Sequence, residues 1–324
     1  MKALVYKGGQ LQIEERPVPE PERDEVLLRV KMAGICSTDL EIMKGYLPFE
    51  GILGHEFVGT VVQGSEKECR EEGLEKLIGR RVVASINLPC YSCAACKKGL
   101  YNHCFKIKTL GMRDKDGAFA EYLIIKQENL YLVPETLDDR EAVFVEPIAA
   151  AVEIAEKIHI KPTARVLILG DGKLGLITAM VLMALGLDVG IIGRHADKLK
   201  VLDGQDIRTY LPEEFEGMAD ILVDCSGNSS GLKMAMDMVR PEGKVVLKTT
   251  VADSQAFNLS SVAVNEISII GSRCGPFDPA LRLLKRNDLP LNRMIDSVYK
   301  LEDGVQAMER AAQQGVLKVL LDME

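Results

Sequence analysis

Hydrophobic residues fall in two different rhythms along this chain. In the first part they come as short β-type runs, EVLLRV (25–30), FVGTVV (57–62), RVVASI (81–86) and AEYLIIK (120–126), broken by glycine, proline and charged turns. That texture predicts a β-rich, barrel-like domain. From about Asp138 it changes: a helical stretch runs from Glu146 to Ile158, and the apolar runs that follow are continuous, namely RVLILG (165–170), VGII (189–192), DILVDC (220–225), KVVLK (244–248) and ISIIG (267–271). Strands of that kind suit a parallel sheet covered on both faces, so this part reads as a βαβ region. After Gly271 the pattern predicts helix, strand, helix, strand, ending in LEDGVQAMERAAQQ (301–314) and VLKVLLD (316–322).

Composition narrows the class without naming a substrate. With 324 residues, 47% hydrophobic and 27% charged, the chain can build two domains with real cores and reads as soluble and globular. A formal net charge of −8 with no concentrated stripe of Lys and Arg argues against nucleic acid or an anionic membrane as partner. No apolar run of about 18 residues is present, and MKALVYKGGQ lacks the apolar region of a signal peptide, so a cytoplasmic location is expected.

Four of the eight cysteines, Cys90, Cys93, Cys96 and Cys104, sit in one short stretch. Two adjacent Cys-x-x-Cys steps and a fourth sulfur can close a tetrahedral shell around Zn²⁺. A closed shell leaves no position for substrate, which predicts a structural site. Two other readings stay open: disulfides, which a reducing compartment disfavours, and an iron–sulfur cluster, whose common run closes more tightly and is followed by proline where Phe105 stands here. Cys69, Cys225 and Cys274 have no spacing partner and read as plain cysteines, while His103 could substitute for a sulfur in the lobe.

A second signal is Gly170-Asp171-Gly172-Lys173-Leu174-Gly175, directly after a strand and opening the apolar helix LGLITAMVLMALG. The first glycine permits the tight turn, the second lets backbone approach a pyrophosphate, and the third lets helix pack on strand. The next strand ends without an acid to hold a ribose 2′-hydroxyl; Gly193, Arg194 and His195 stand there, with Lys198 close behind. Room and a guanidinium for a 2′-phosphate favour NADP over NAD. The competing reading leaves Arg194 solvated and moves the acidic role to Asp197. Ser226, Thr249 and Thr250 lie near strand C-termini, where open α/β sheets bind ligands.

Cys36, His55 and Glu146 offer a thiolate, an imidazole and a carboxylate, three zinc ligands with one position left for a reacting oxygen. With CxTD at 36–39, GHExxG at 54–59, the cysteine lobe and the glycine turn in this order, the chain resembles the zinc-containing medium-chain alcohol dehydrogenases over its whole length. The resemblance implies an α/β protein: a GroES-like catalytic domain from 1–147 with 274–324, its zinc lobe at about 86–108, and a doubly wound Rossmann domain at 148–273, with a cleft at their junction. It implies two zinc ions per chain, NAD(P), a small-molecule alcohol, polyol or carbonyl substrate, and a homo-oligomer, dimer or tetramer.

Site roles follow the same resemblance. Cys36 and His55 match two catalytic zinc ligands. Glu146 stands where many members have cysteine, a departure shared with sorbitol- and glucose-dehydrogenase-like branches. Glu56 matches a residue that can exchange as ligand, Asp39 a carboxylate that orients the histidine, and Thr38 the hydroxyl that receives the alcohol proton. Read on their own, Asp39 and Thr38 also suit a helix N-terminus. Glu41 replaces a relay histidine found in some members. Arg273 resembles an arginine placed near cofactor or substrate, and Tyr46 and Phe49 are candidate pocket walls. The expected activity is hydride transfer between a hydroxyl or carbonyl and NAD(P); the alternative is a non-catalytic dinucleotide-binding protein with structural zinc only.

Overall fold

The structure, a computed structural model, describes residues 1–64, 76–249, 258–286 and 289–324, so Cys69 and Thr250 lie outside the described residues. Two compact units are formed, Met1–Glu146 with Ile295–Glu324, and Pro147–Met294. Residues 274–294, which the resemblance assigned to the catalytic domain, group with the second unit. No helix among the described residues is long and apolar enough to cross a membrane.

The first unit is built on a mostly antiparallel sheet. Among the described residues its strands run in the order Leu130–Leu132, Arg81–Ala84, Glu56–Gly64, Glu25–Gly34, Lys318–Asp322, Ile295–Lys300, with Tyr122–Lys126 also paired to Glu25–Gly34. The predicted runs at 25–30, 57–62, 81–86 and 120–126 all fall on these strands. The central strand has buried neighbours on both sides, so Val26, Leu28 and Val30 lose nearly all their exposure. The C-terminal segment returns as a strand beside it, with Leu320 opposite Gly34.

In the second unit the sheet is wholly parallel, ordered Ile207–Tyr210, Asp188–Ile192, Arg165–Leu169, Ala219–Asp224, Val239–Leu247, Ser268–Gly271. Numbered along the chain that is 3-2-1-4-5-6, the doubly wound nucleotide-binding order. Five of these strands were predicted. Ile207–Tyr210 was not, because an outer strand covered on one side keeps exposed polar residues, here Arg208 and Thr209, and never makes a continuous apolar run. The helix Lys173–Ala184 packs behind the first strand with buried residues all round, from Leu176 to Leu182.

Candidate active site and metal centres

Three strand ends of the first unit build one buried site. Cys36 follows the strand Glu25–Gly34 and caps the helix Ser37–Met43; its sulfur accepts the Thr38 amide at 3.5 Å, and Asp39 Oδ2 accepts the Cys36 amide at 2.9 Å. Pairing of Gly34 with Glu56 brings His55 and Glu56 alongside, and the Ile35 amide donates to Val319, which fixes Lys318 next to them. A side chain at Gly34 would meet Glu56 Oε2 at 2.8 Å and Val143 at 2.7 Å, so the close approach requires glycine. Ligand atoms of Cys36, His55 and Glu56 all lie within 4.8 Å of one another.

Asp39 is fully buried and holds both the Gly54 amide, at 3.2 Å from Oδ1, and His55, whose Nδ1 is 3.2 Å from the same oxygen. That contact is at ion-pair distance but too poorly aligned for a hydrogen bond. Burial disfavours the imidazolium, yet Asp39 and the Cys36 sulfur outweigh it and hold His55 well above the usual histidine range. A soft thiolate, an imidazole and a carboxylate around an electronegative pocket are a zinc donor set. Asp39 therefore serves both readings the sequence allowed: it completes the helix cap and it orients the histidine.

Glu146 is not one of the grouped ligands, although it acts on the same buried lysine as Glu56. It lies in the first turn of the helix Val145–Lys157, half-buried, and the group formed with Cys36 and His55 contains Glu56. What sequence reasoning missed is Lys318, 1% exposed, which forms a buried ion pair with Glu56 Oε2. Burial works against its charge, but Glu56, Cys36 and Glu146 raise its pKa, and its ammonium sits 5.5 Å from the Phe144 ring centroid. A lysine inside an apolar strand, VLKVLLD, was the available signal, since lysine is rarely buried unpaired.

Other predicted residues of this unit are placed as follows. The Thr38 hydroxyl is 3.7 Å from Cys36 Sγ. Glu41 is exposed and paired with Lys44 at 2.8 Å. Phe49 is buried and Tyr46 exposed. A concavity of about 520 Å³ is lined by Leu47, Pro48, Phe49 and Glu50 with residues 112–116, and none of the metal-site residues lines it.

The cysteine lobe closes as its spacing predicts. Sulfur pairs Cys90–Cys104, Cys93–Cys96 and Cys93–Cys104 are 3.4, 3.5 and 3.8 Å apart. Tetrahedral zinc–thiolate bonds separate sulfurs by about 3.8 Å, whereas a disulfide needs about 2.05 Å. All four are free thiols, and exposed His103 is not among the grouped ligands.

In the second unit the three glycines differ in what surrounds them. A Cβ at Gly175 would lie 1.9 Å from Gly170 O, and one at Gly170, where φ is +110°, would meet Cys225 O at 2.6 Å. Gly172 faces open space, and as N-cap of Lys173–Ala184 it leaves the helix amides without a side-chain partner, a ready cradle for a pyrophosphate. Lys173 and Leu174 are half-buried in that first turn. At the neighbouring strand end Gly193 is buried, Arg194 exposed, and His195 and Lys198 half-exposed; Asp197 is taken by Lys200 at 2.7 Å. Ser226 and Thr249 brace the sheet edge: Asp224 Oδ1 accepts the Ser226 amide at 2.9 Å and the Thr249 hydroxyl at 3.1 Å. Arg273 is exposed, and its carbonyl accepts Lys248 Nζ at 2.8 Å.

Residues 22–135 match the alcohol dehydrogenase GroES-like domain family and residues 174–286 the zinc-binding dehydrogenase family. A sorbitol dehydrogenase of Halalkalibacterium halodurans is 31% identical, with 99% of this chain and 99% of that protein aligned. An Escherichia coli alcohol dehydrogenase crystallised with NADH superposes with a TM-score of 0.91 at 26% identity, covering 100% of this chain and 99% of that one. A zinc-binding dehydrogenase from Sinorhizobium meliloti bound to NADP gives 0.90 at 26% identity, covering 99% and 98%.

Proposed function

This chain belongs to the zinc-containing medium-chain alcohol dehydrogenases, in their polyol branch, and from that membership we propose that it oxidises a secondary hydroxyl of a small polyol or sugar, or reduces the matching carbonyl, with a nicotinamide cofactor. The observation that carries this reading is the convergence of Cys36, His55 and Glu56 in a buried, electronegative pocket. Those three hold the catalytic zinc, with Glu146 facing the same lysine from the next element. Cys90, Cys93, Cys96 and Cys104 hold a second, structural ion.

Zinc held by these ligands supplies Lewis-acid polarisation of the substrate oxygen, which lowers the pKa of a hydroxyl. Thr38 would accept the substrate hydroxyl's proton while passing its own on to water, and a bound nicotinamide would supply the acceptor for the substrate's hydride, leaving a carbonyl. Asp39 keeps the His55 ring in one orientation, and Lys318 is paired with Glu56. Arg194 and the missing acid at the second strand end favour NADP over NAD. Ser268–Gly271, the outermost parallel strand among the described residues, and the helix Leu259–Val264 expose Ile269, Leu259 and Val264, which supports pairing with a second copy as dimer or tetramer.

A screen of polyols, sugars and secondary alcohols against NAD and NADP, read by nicotinamide absorbance in wild type and Arg194→Ala, tests the reading. It predicts turnover of at least one polyol, with NADP losing more than NAD in the variant. A zinc-replete protein that turns over no hydroxyl or carbonyl substrate would overturn the catalytic reading.

A further inference from the structure

The cysteine lobe presents more to solvent than a metal staple requires. Its four sulfurs lie within 4.8 Å of one another, and that grouping draws the chain from Cys90 to Cys104 into one compact lobe. Phe105, directly after the last sulfur, is 76% exposed, Leu100 50%, Tyr101 47% and Tyr91 41%. The Tyr91 and Tyr101 rings lie against each other, with centroids 5.3 Å apart. Tyr91 is held there with φ at +53°, a left-handed backbone that a bulky residue adopts only at a cost. Shielding of the thiolates does not account for this surface, because a side chain as exposed as Phe105 covers little.

Around these side chains the charge has one sign. Between Ile86 and Lys108 the chain has four lysines, Lys97, Lys98, Lys106 and Lys108, with no arginine and no acidic residue. All four are exposed, and none is ion-paired among the described residues. Four thiolates around Zn²⁺ carry two formal negative charges, so the lobe stays positive when loaded. The net charge of −8 that argues against an anionic membrane belongs to the whole chain. In the sequence the lysines are dispersed among the cysteines, and the closing of the lobe gathers them.

Lysine rather than arginine decides among partners. Protein interfaces are enriched in arginine and depleted in lysine, and nucleic-acid sites favour the guanidinium fork for phosphate. An ammonium on a long apolar stem suits a surface where the stem lies along apolar groups and the head stays among lipid phosphates. Tyrosine, with an apolar ring and a polar tip, suits the same depth, and Phe105 and Leu100 have no polar side-chain atom to keep in water. We propose that the lobe docks the protein peripherally on an anionic phospholipid surface, with Phe105 and Leu100 entering the headgroup boundary and the lysines meeting lipid phosphates. The closed shell of four sulfurs is the rigid base of that tip, a role independent of the reaction proposed above.

Flotation of the zinc-loaded full chain with vesicles tests this, using phosphatidylcholine alone and phosphatidylcholine mixed with phosphatidylglycerol. Wild type should rise with the mixed vesicles and stay behind with the neutral ones, and about 1 M salt, which screens charge within about 3 Å, should release it. Each lysine near an anionic surface is worth about fivefold in partitioning, so Lys97→Gln combined with Lys98→Gln should weaken binding about twentyfold. Phe105→Ser should weaken it about tenfold by removing the apolar area that enters the boundary, while Phe105→Leu should bind nearly as wild type. Zinc content and unfolding midpoint, read on the same preparations, should match wild type in all of these variants. No binding of wild type to the mixed vesicles, equal binding to both kinds, or Phe105→Ser and the lysine variant both binding like wild type would overturn the inference. So would variants that keep vesicle binding and lose instead a second copy of the chain in light scattering, or a single-stranded RNA in filter binding. Each of these outcomes leaves the dehydrogenase reading intact, because none of them reads turnover.

Discussion

Lys318 is the residue on which the metal site leans most without being a ligand. Its ammonium is buried against Glu56, with Cys36 and Glu146 adding to the field that keeps it charged. Removing one partner of a buried pair leaves the other charge uncompensated, at a cost of about 3–5 kcal/mol. Lys318→Met is therefore expected to lose about that much in denaturant unfolding of the metal-free protein, and adding Glu56→Gln should return part of the loss. A Lys318→Met variant as stable as wild type, or a double variant no better than the single, would contradict the pair's role. The sequence made Cys36 and His55 legible because their neighbours, CxTD and GHExxG, are local. Glu56 was legible with them through the same GHExxG run, whereas the pairing of Lys318 with it was not, because Glu56 and Lys318 are 262 residues apart and meet only through sheet pairing.

Among the elements, the cysteine lobe has the clearest dependence on its conditions. The Ser92 hydroxyl and amide, then the Cys93 amide, donate toward the Cys90 sulfur and bring its pKa down to about 5. A depressed thiol stays a thiolate at neutral pH and is lost as pH falls through about 5, so protons compete for this ligand only in acid. The lobe should hold its metal at pH 7 and release it as pH falls below about 5, followed with a colorimetric chelator. Release already complete at neutral pH would contradict a closed thiolate shell. The grouping of the four sulfurs and the tight packing at the glycine turn were both legible, since each is a local run set by spacing. The strand Ile207–Tyr210 was not, because its place in the sheet is decided by pairing with Asp188–Ile192 rather than by its own apolar content. Asp171 likewise gave no signal of its contact with His195: within G-x-G-x-x-G it is only an x, and the contact depends on Gly193 leaving space beside it.

For the whole molecule, the chemistry is divided between the units. Met1–Glu146 with Ile295–Glu324 carries both metal-competent groups and Thr38, and Pro147–Met294 carries the parallel, doubly wound sheet. The alternation of apolar and polar residues made this division legible in outline, while the placement of 274–294 depended on packing that no local pattern encodes. The central claim is that the metal at Cys36, His55 and Glu56 performs the reaction and the metal in the cysteine lobe does not. Metal content and polyol turnover of wild type and Cys36→Ser, measured on the same preparations, test it most directly. The account predicts two zinc ions per chain with turnover in wild type, and one retained zinc, a folded chain and no measurable turnover in Cys36→Ser. Wild-type turnover in that variant would contradict it.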